Sequence, residues 1–297
     1  MARRYDMLVL DLDGTVLDPA GVVTPRTRDA VQQARDAGMR VTLCTGRGLV
    51  EARPAVVALN QQDPVIVAGG SIIACPATRR TLHRFALDLS LVSRAVERLL
   101  AHDHPAMVLK DPVAAGYDYL IVRGPRGLRL DPVTDWWFDH LNVSVRYVDH
   151  LDDDEHPEHT VRVGACGLSG RMATVRDALH EACGRESLIH HFPAVIAPEH
   201  AGRAINGQTI DVLELFHLSA NKWESVRVLA EGWKIPPARI CAIGDQVNDV
   251  SMIEQAGLGI AMGNAIEPVR KAAKRHTKRN DEDGVAHAIE QVLGGHW

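Results

Sequence analysis

Residues 7–10 (MLVL) form an unbroken apolar run that stops at Asp11. That is the pattern of a strand buried on both faces. Thr24 and Pro25 then supply an N-cap and a first-turn proline, Gly38 supplies a stop, and Ala30, Val31 and Ala34 share one face between them. Together they predict a helix. Residues 39–44, 49–59 and 65–68 continue as strand, helix and strand. The rhythm returns near the C-terminus. Ser219 is placed to cap a helix running to about Glu231, 239–243 predicts a strand, 250–256 a helix ended by Gly257, 258–262 a further strand, and 267–273 and 284–293 helices. Strands alternating with helices imply an α/β fold with a parallel sheet.

Residues 83–217 differ. Short β-like runs at 106–109, 117–122, 143–148, 161–166 and 210–216 mix with helical stretches at 91–101 and 171–182, the pattern of an α+β unit inserted into the α/β frame. A chain of 297 residues exceeds the usual single-domain size. The expected organisation is therefore a core of residues 1–82 and 218–297 with an insert at 83–217. The insert holds 13 Lys/Arg and 20 Asp/Glu against 20 and 18 in the flanks, so the negative charge sits in the insert.

Hydrophobic residues make up 46% and charged residues 24% of the chain, ordinary globular composition, and the net charge of −5 lacks the basic excess of nucleic-acid binders. No apolar stretch approaches the roughly 20 residues that span a bilayer. The Arg3-Arg4 pair resembles a signal n-region, but Asp11 and Asp13 interrupt the apolar stretch behind it. Cys44, Cys75, Cys166, Cys183 and Cys241 are scattered, odd in number and without a C-x-x-C pair, which points to a reducing cytoplasm and away from a disulfide framework or thiolate metal site.

Four segments carry chemistry. Asp11-Leu12-Asp13-Gly14-Thr15 leaves a strand end with two carboxylates at i and i+2, and Thr45-Gly46-Arg47 comes after the second strand, offering a hydroxyl and a glycine-freed amide to an anion. Lys222 falls in the first turn of a helix, where the macrodipole disfavours a cation unless an anion meets it. Gly244-Asp245-Gln246-Val247-Asn248-Asp249 comes after another strand and adds hard oxygen donors of the kind magnesium prefers.

In this order the four motifs resemble those of haloacid dehalogenase (HAD) superfamily phosphatases of the Cof-like subfamily. Met252, Ala256-Gly257, Ala261-Met262-Gly263-Asn264-Ala265 and Asp283-Gly284-Val285-Ala286 are similar to that subfamily's C-terminal pattern. The resemblance covers roughly residues 6–82 and 209–297. It implies a Rossmann-like parallel-sheet core with an inserted α+β cap that sets specificity, and a Mg2+-dependent phosphatase acting on a small phosphate ester. Asp11 would be the nucleophile and Asp13 the acid/base, with its main-chain carbonyl on the metal. Thr45, Gly46, Lys222 and Asn248 would hold the phosphate, and Asp11, Asp13, Asp245 and Asp249 would serve the metal. The same resemblance leaves a phosphomutase or phosphotransferase, a dehalogenase and a catalytically silent binding module as alternatives. Where relatives usually show Asn-Gly-Ala after the third strand, this chain has Gly69-Gly70-Ser71.

Other residues have plainer expectations. Trp136-Trp137 is expected to pack the insert's core, the run Asp152-Asp153-Asp154-Glu155 to be a solvated loop, and His156, His159, His190 and His191 to be surface or loop histidines without ligand geometry.

Overall fold

The computed structural model describes residues 4–194 and 209–297; Arg3 lies outside them. The chain opens with β1 (Met7–Leu10), the helix Pro25–Asp36, β2 (Arg40–Leu43), the helix Leu49–Ala58 and the hairpin strands β3 (Val65–Val67) and β4 (Ile72–Ala74), then β5 (Thr81–Arg84). The helix Leu89–Ala101, β6 (Ala106–Lys110), β7 (Tyr119–Val122), the helix Pro132–His140, β8 (Val145–Val148), β9 (Thr160–Leu168), the helix Ser169–Cys183, β10 (Ser187–Pro193) and β11 (Ile210–His217) come next. The helix Lys222–Gly232, β12 (Ile240–Gly244), the helix Val250–Gln255, β13 (Leu258–Ala261), the helix Glu267–Ala272, β14 (Arg275–His276) and the helix Gly284–Leu293 complete the chain.

Two compact units result. One comprises the chain to Arg47, Ala52–Leu82 and Asn221–Trp297; the other comprises Gly48–Glu51 and His83–Ala220. The first is built on a five-stranded sheet ordered β14-β13-β12-β1-β2, parallel throughout. All four residues of β1 are buried, as its unbroken apolar run requires. Thr24 caps the helix Pro25–Asp36 by accepting from the Thr27 amide at 3.1 Å, and Ala30, Val31 and Ala34 are buried on its inner face.

The second unit holds a six-stranded sheet ordered β10-β11-β9-β6-β7-β8, antiparallel except for β7–β8. Leu91, Ala95 and Leu99 of one helix and Met172, Val175 and Leu179 of another form a single buried cluster with Val108, Leu120, Val163 and Leu213 from the strands.

Several expectations need correction. Residues 65–68 do not extend the main sheet as a full strand. One parallel bridge, Cys44 to Ile66, joins them to the end of β2, after which β3 turns back on β4 as an antiparallel hairpin. The turn requires three successive positive φ values, at Ala68 (53°), Gly69 (68°) and Gly70 (104°). Ser219 is not the helix cap: Asn221 is, its side chain accepting from the Glu224 amide at 3.0 Å, so the helix begins at Lys222. Residues 187–193, including His190 and His191, form a strand rather than a loop, because β11 supplies a full antiparallel partner. Trp136 and Trp137 are only half-buried. Phe138 beside them fills the interior, while Trp136 stacks on His140 and Trp137 Nε1 donates to Glu51 Oε1 at 2.8 Å. Within the acidic run Asp154 is not solvated: its side chain is buried against Lys110, which is buried too.

At Gly70 the hairpin turn and the start of the helix Lys222–Gly232 touch. A Cβ there would sit 2.8 Å from the Lys222 amide nitrogen and overlap the Asn221 carbonyl group, and Ser225 Oγ donates to the Gly70 carbonyl at 2.6 Å. Gly70→Ala therefore combines a positive-φ penalty with backbone overlap, and should lower stability by about 2–3 kcal/mol, read as a lower denaturant midpoint by circular dichroism.

Candidate active site

The sheet register assembles the site. Leu10 of β1 lies opposite Ile243 of β12 on one side and Leu43 of β2 on the other. The residues just past these three strand ends are therefore neighbours at the carboxyl edge of the sheet, where strand spacing is about 4.8 Å. Asp11 continues the ladder by donating its amide to the Ile243 carbonyl (3.1 Å), and Cys44 does the same to Leu10 (2.8 Å). The strands run on both sides of β1, so the crevice opens where the strand order reverses.

Lys222 enters this edge at the first position of its helix and is fully buried. Its Nζ donates to Asp11 Oδ1 and to Asp249 Oδ1, both at 2.6 Å. The second Asp249 oxygen accepts from the Asp245 and Gln246 amides at 2.9 Å each, which locks the start of the Val247–Asp249 turn. Asp245 is held by Thr15 Oγ1 at 2.9 Å. Oxygens of Asp11, Asp245 and Asp249 lie within 4.8 Å of one another.

Asp13 sits slightly apart. Arg47 grips both its oxygens, Nε to Oδ2 at 2.9 Å and Nη2 to Oδ1 at 2.6 Å. The Arg47 amide donates to Thr45 Oγ1 at 3.1 Å, so the T-G-R segment is wound around the buried threonine. Gly46 faces Asn248: a Cβ at Gly46 would lie 3.8 Å from Asn248 Nδ2, and Asn248 Oδ1 is a buried acceptor without a hydrogen-bond partner. The structure thus brings Asp11, Asp245, Asp249 and Lys222 into one cluster, and sets Asp13, Thr45, Gly46 and Asn248 on adjoining loops.

Sequence patterns alone do not single out Thr15, Arg47 or Asn264 as working side chains. Asn264 Nδ2 donates to the Gly14 carbonyl at 2.8 Å, and its Oδ1 accepts from the Asn280 amide at 3.0 Å. Thr15 and Arg47 stand inside the first and second motifs and Asn264 inside the C-terminal pattern, but nothing in one dimension pairs Thr15 with Asp245 or Asn264 with Gly14 across more than 200 residues.

The charges decide what the cluster can hold. Asp13 with Arg47 is neutral as a pair, and the three clustered carboxylates, when all are ionised, carry two more negative charges than Lys222 offsets. Burial pushes the Asp11 carboxyl well above its ordinary range, Asp249 adds to that, and Lys222 opposes it. Asp245 is pushed up to about 7 by burial and by Asp249. Burial alone would lower Lys222, yet Asp11 and Asp249 outweigh it and hold the ammonium charged. A hard, all-oxygen donor set with a deficit of two charges fits one divalent cation.

The chain belongs to the haloacid dehalogenase-like hydrolases, matching that family over residues 8–289. It is an enzyme of the HAD hydrolase type. It is 28% identical to 5-amino-6-(5-phospho-D-ribitylamino)uracil phosphatase YwtE of Bacillus subtilis (strain 168), over 98% of this chain and 99% of that one. It is 25% identical to pyridoxal phosphate phosphatase YbhA of Escherichia coli (strain K12), over 97% and 98%. Among solved structures it is similar to a haloacid dehalogenase-like hydrolase from Bacteroides thetaiotaomicron, with a TM-score of 0.78 and 26% identity over 97% of this chain and 99% of that one.

The raised Asp245 carboxyl gives a pH signature. Its folded value of about 7 exceeds the ordinary 3.8, so the folded cation-free chain binds this proton more tightly than the unfolded chain does. The resulting stabilisation is fully present below about pH 4 and lost as pH rises through 7. Excess divalent cation compensates the ionised site. The cation-induced rise in melting temperature should therefore be larger at about pH 8 than at about pH 5, as checked by calorimetry with and without chelator.

Proposed function

We propose that this chain hydrolyses a small phosphorylated metabolite, a sugar phosphate or a similar ester, through an aspartyl phosphate formed on Asp11. The observation that carries this reading is the convergence of Asp11, Asp245 and Asp249 with Lys222 bonded to two of them at 2.6 Å, in a chain of the HAD hydrolase family. The match to relatives named as phosphatases supports the same class of reaction.

Lys222 fixes the rotation of the Asp11 carboxylate, which orients it for attack on phosphorus, and Thr45, Gly46, Lys222 and Asn248 hold the phosphoryl oxygens. Asn248 Nδ2, which faces Gly46, is a donor able to meet a phosphoryl oxygen there. Mg2+ would be held by Asp11, Asp245 and the Asp13 carbonyl, with Asp249 ordering its water, and when bound supplies the positive charge that lets a phosphate approach three carboxylates. Asp13 has to be protonated for the first step, in which it gives that proton to the leaving oxygen, and it later takes one from water. Both Asp13 oxygens are occupied by Arg47, so the pair must open first, and a substrate phosphate competing for the guanidinium is the group able to open it.

The second unit is assigned the role of cap, reading the part of the substrate beyond the phosphate, since every residue assigned to the chemistry lies outside 83–217. No helix among the described residues is long and apolar enough to cross a membrane, and the five cysteines are free, in keeping with a cytoplasmic enzyme. Nucleic acid and membrane are not proposed as partners.

Asp11→Asn should fold normally and keep less than about 1% of wild-type kcat, and exhaustive chelation should abolish activity that Mg2+ restores while Ca2+ inhibits, its looser coordination displacing Asp11 from the line of attack. Retained turnover in Asp11→Asn removes the nucleophile assignment, and full activity after exhaustive chelation removes the metal requirement. For the cap, polar substitutions in the second unit should change kcat/KM ratios among sugar phosphates, pyridoxal phosphate and nucleotides by about tenfold or more. Hydrolysis of acetyl phosphate should change little, and equal losses on every ester would refute the specificity role.

A further inference from the structure

In the second unit, Pro157–His159 forms a single 3₁₀ turn leading into β9, with His156 at its N-terminal boundary. Three residues per turn place positions i and i+3 in line. His156 and His159 accordingly stack, with ring centroids 5.9 Å apart and planes at 17°. Sequence alone treats these as loop histidines without ligand geometry. The turn overturns that.

The turn is anchored on both sides. The His156 amide donates to Asp154 Oδ1 at 3.0 Å, Lys110 Nζ donates to the His156 carbonyl at 3.1 Å, and the Asp111 amide donates to the His159 carbonyl at 2.8 Å. Glu158 Oε1 lies 3.2 Å from His159 Nε2. One ring nitrogen from each histidine and one Glu158 oxygen all fall within 4.8 Å of one another.

We propose that His156, Glu158 and His159 form a second metal site, distinct from the carboxylate cluster, that takes a divalent transition ion of the zinc class. Imidazole and carboxylate donors suit Zn2+, Ni2+ and Cu2+, whereas Mg2+ and Ca2+ require oxygen throughout. Three protein donors leave one tetrahedral position for water. Donors bound at about 2.1 Å to a tetrahedral ion are about 3.4 Å apart, so the three groups need draw together by little more than 1 Å at most. The Glu158 side chain, 59% exposed, is free to make that movement.

The surrounding charge favours a cation. Asp152, Asp153, Asp154, Glu155 and Glu158 gather here, while Lys110 is engaged by Asp154 and by Thr160 Oγ1, and Arg146 by Glu155. The imidazole at His159 limits affinity. Its Nδ1 is buried without a hydrogen-bond partner, so Nε2 is the nitrogen presented, and the ring lacks the outer acceptor that orients most ligating histidines. Such a partner is worth about 10–100-fold, so zinc should bind here that much more weakly than at a site whose histidines are all so oriented.

The test is calorimetric titration of ZnCl2 into the tag-free full chain, in buffer with excess Mg2+ to occupy the carboxylate cluster. One zinc per chain should bind below millimolar concentration. His156→Asn and His159→Asn should each weaken that event at least tenfold and the double variant should abolish it, whereas Asp245→Asn should leave it unchanged. Co2+ should acquire visible absorption in the wild type and lose it in the double variant. Should that variant fail to fold by circular dichroism, Glu158→Gln decides, because its carboxylate is exposed: a tenfold loss supports the site. A wild type that binds no zinc below millimolar, or an unchanged affinity in the folded double variant or in Glu158→Gln, overturns the proposal.

Discussion

One ammonium shared between two buried carboxylates holds the carboxylate cluster of the first unit in place. Lys222 touches Asp11 and Asp249 at the same distance, 2.6 Å, and none of the three side chains has meaningful access to water. Replacing Lys222 by a neutral residue would leave these carboxylates without compensation, at a cost of about 3–5 kcal/mol. Much of the local backbone serves this contact. Asn221 caps the helix so that Lys222 occupies its first position, and Gly70, with no Cβ, lets the hairpin turn press against that start. A first-turn lysine opposes the helix dipole. The buried carboxylates outweigh that local penalty.

Around this centre, loops distant in sequence are stitched together by neutral hydrogen bonds. Thr15 from the first loop holds Asp245 from the fourth motif, Asn264 ties the Gly14 carbonyl to the Asn280 amide, and Asn280 Nδ2 donates to the Leu17 carbonyl at 2.9 Å. Gly14 is close-packed beneath them, its absent Cβ leaving room for the Asp245 carboxylate. These bonds fix the carboxylates without adding charge. The net deficit stays at two, and a divalent ion matches it.

The second unit uses buried polarity differently. Lys110 with Asp154, and Arg162 with Glu214 and the Tyr119 hydroxyl, are paired inside or beside its sheet. Burial lowers Lys110 from its ordinary value despite Asp154, a sign of how dry that pair is. Each such pair forbids an apolar register shift, because a slip by one residue would strand a charge in the core. The strands that carry these residues, β6, β7, β9 and β11, are held in register this way.

Much of the first unit's fold was legible in the sequence. The apolar run before Asp11, the Thr24-Pro25 start and the strand ends before Thr45 and Asp245 are local signals, and they define a parallel α/β frame because short-range propensity and global pairing agree there. The residue types at the strand ends likewise point to their chemistry. Tertiary structure alone decided what lies beyond local reach. It moved the cap from Ser219 to Asn221, turned residues 65–74 into a hairpin, made a strand of the histidine-bearing 187–193, buried Asp154 and lined up His156 with His159. In each case the deciding partner is remote in sequence or set by a turn type: β11 for β10, Lys110 for Asp154, a 3₁₀ rather than an α period for the histidines. Composition and periodicity report which residues seek burial or charge compensation, and only the folded chain supplies the groups that provide it.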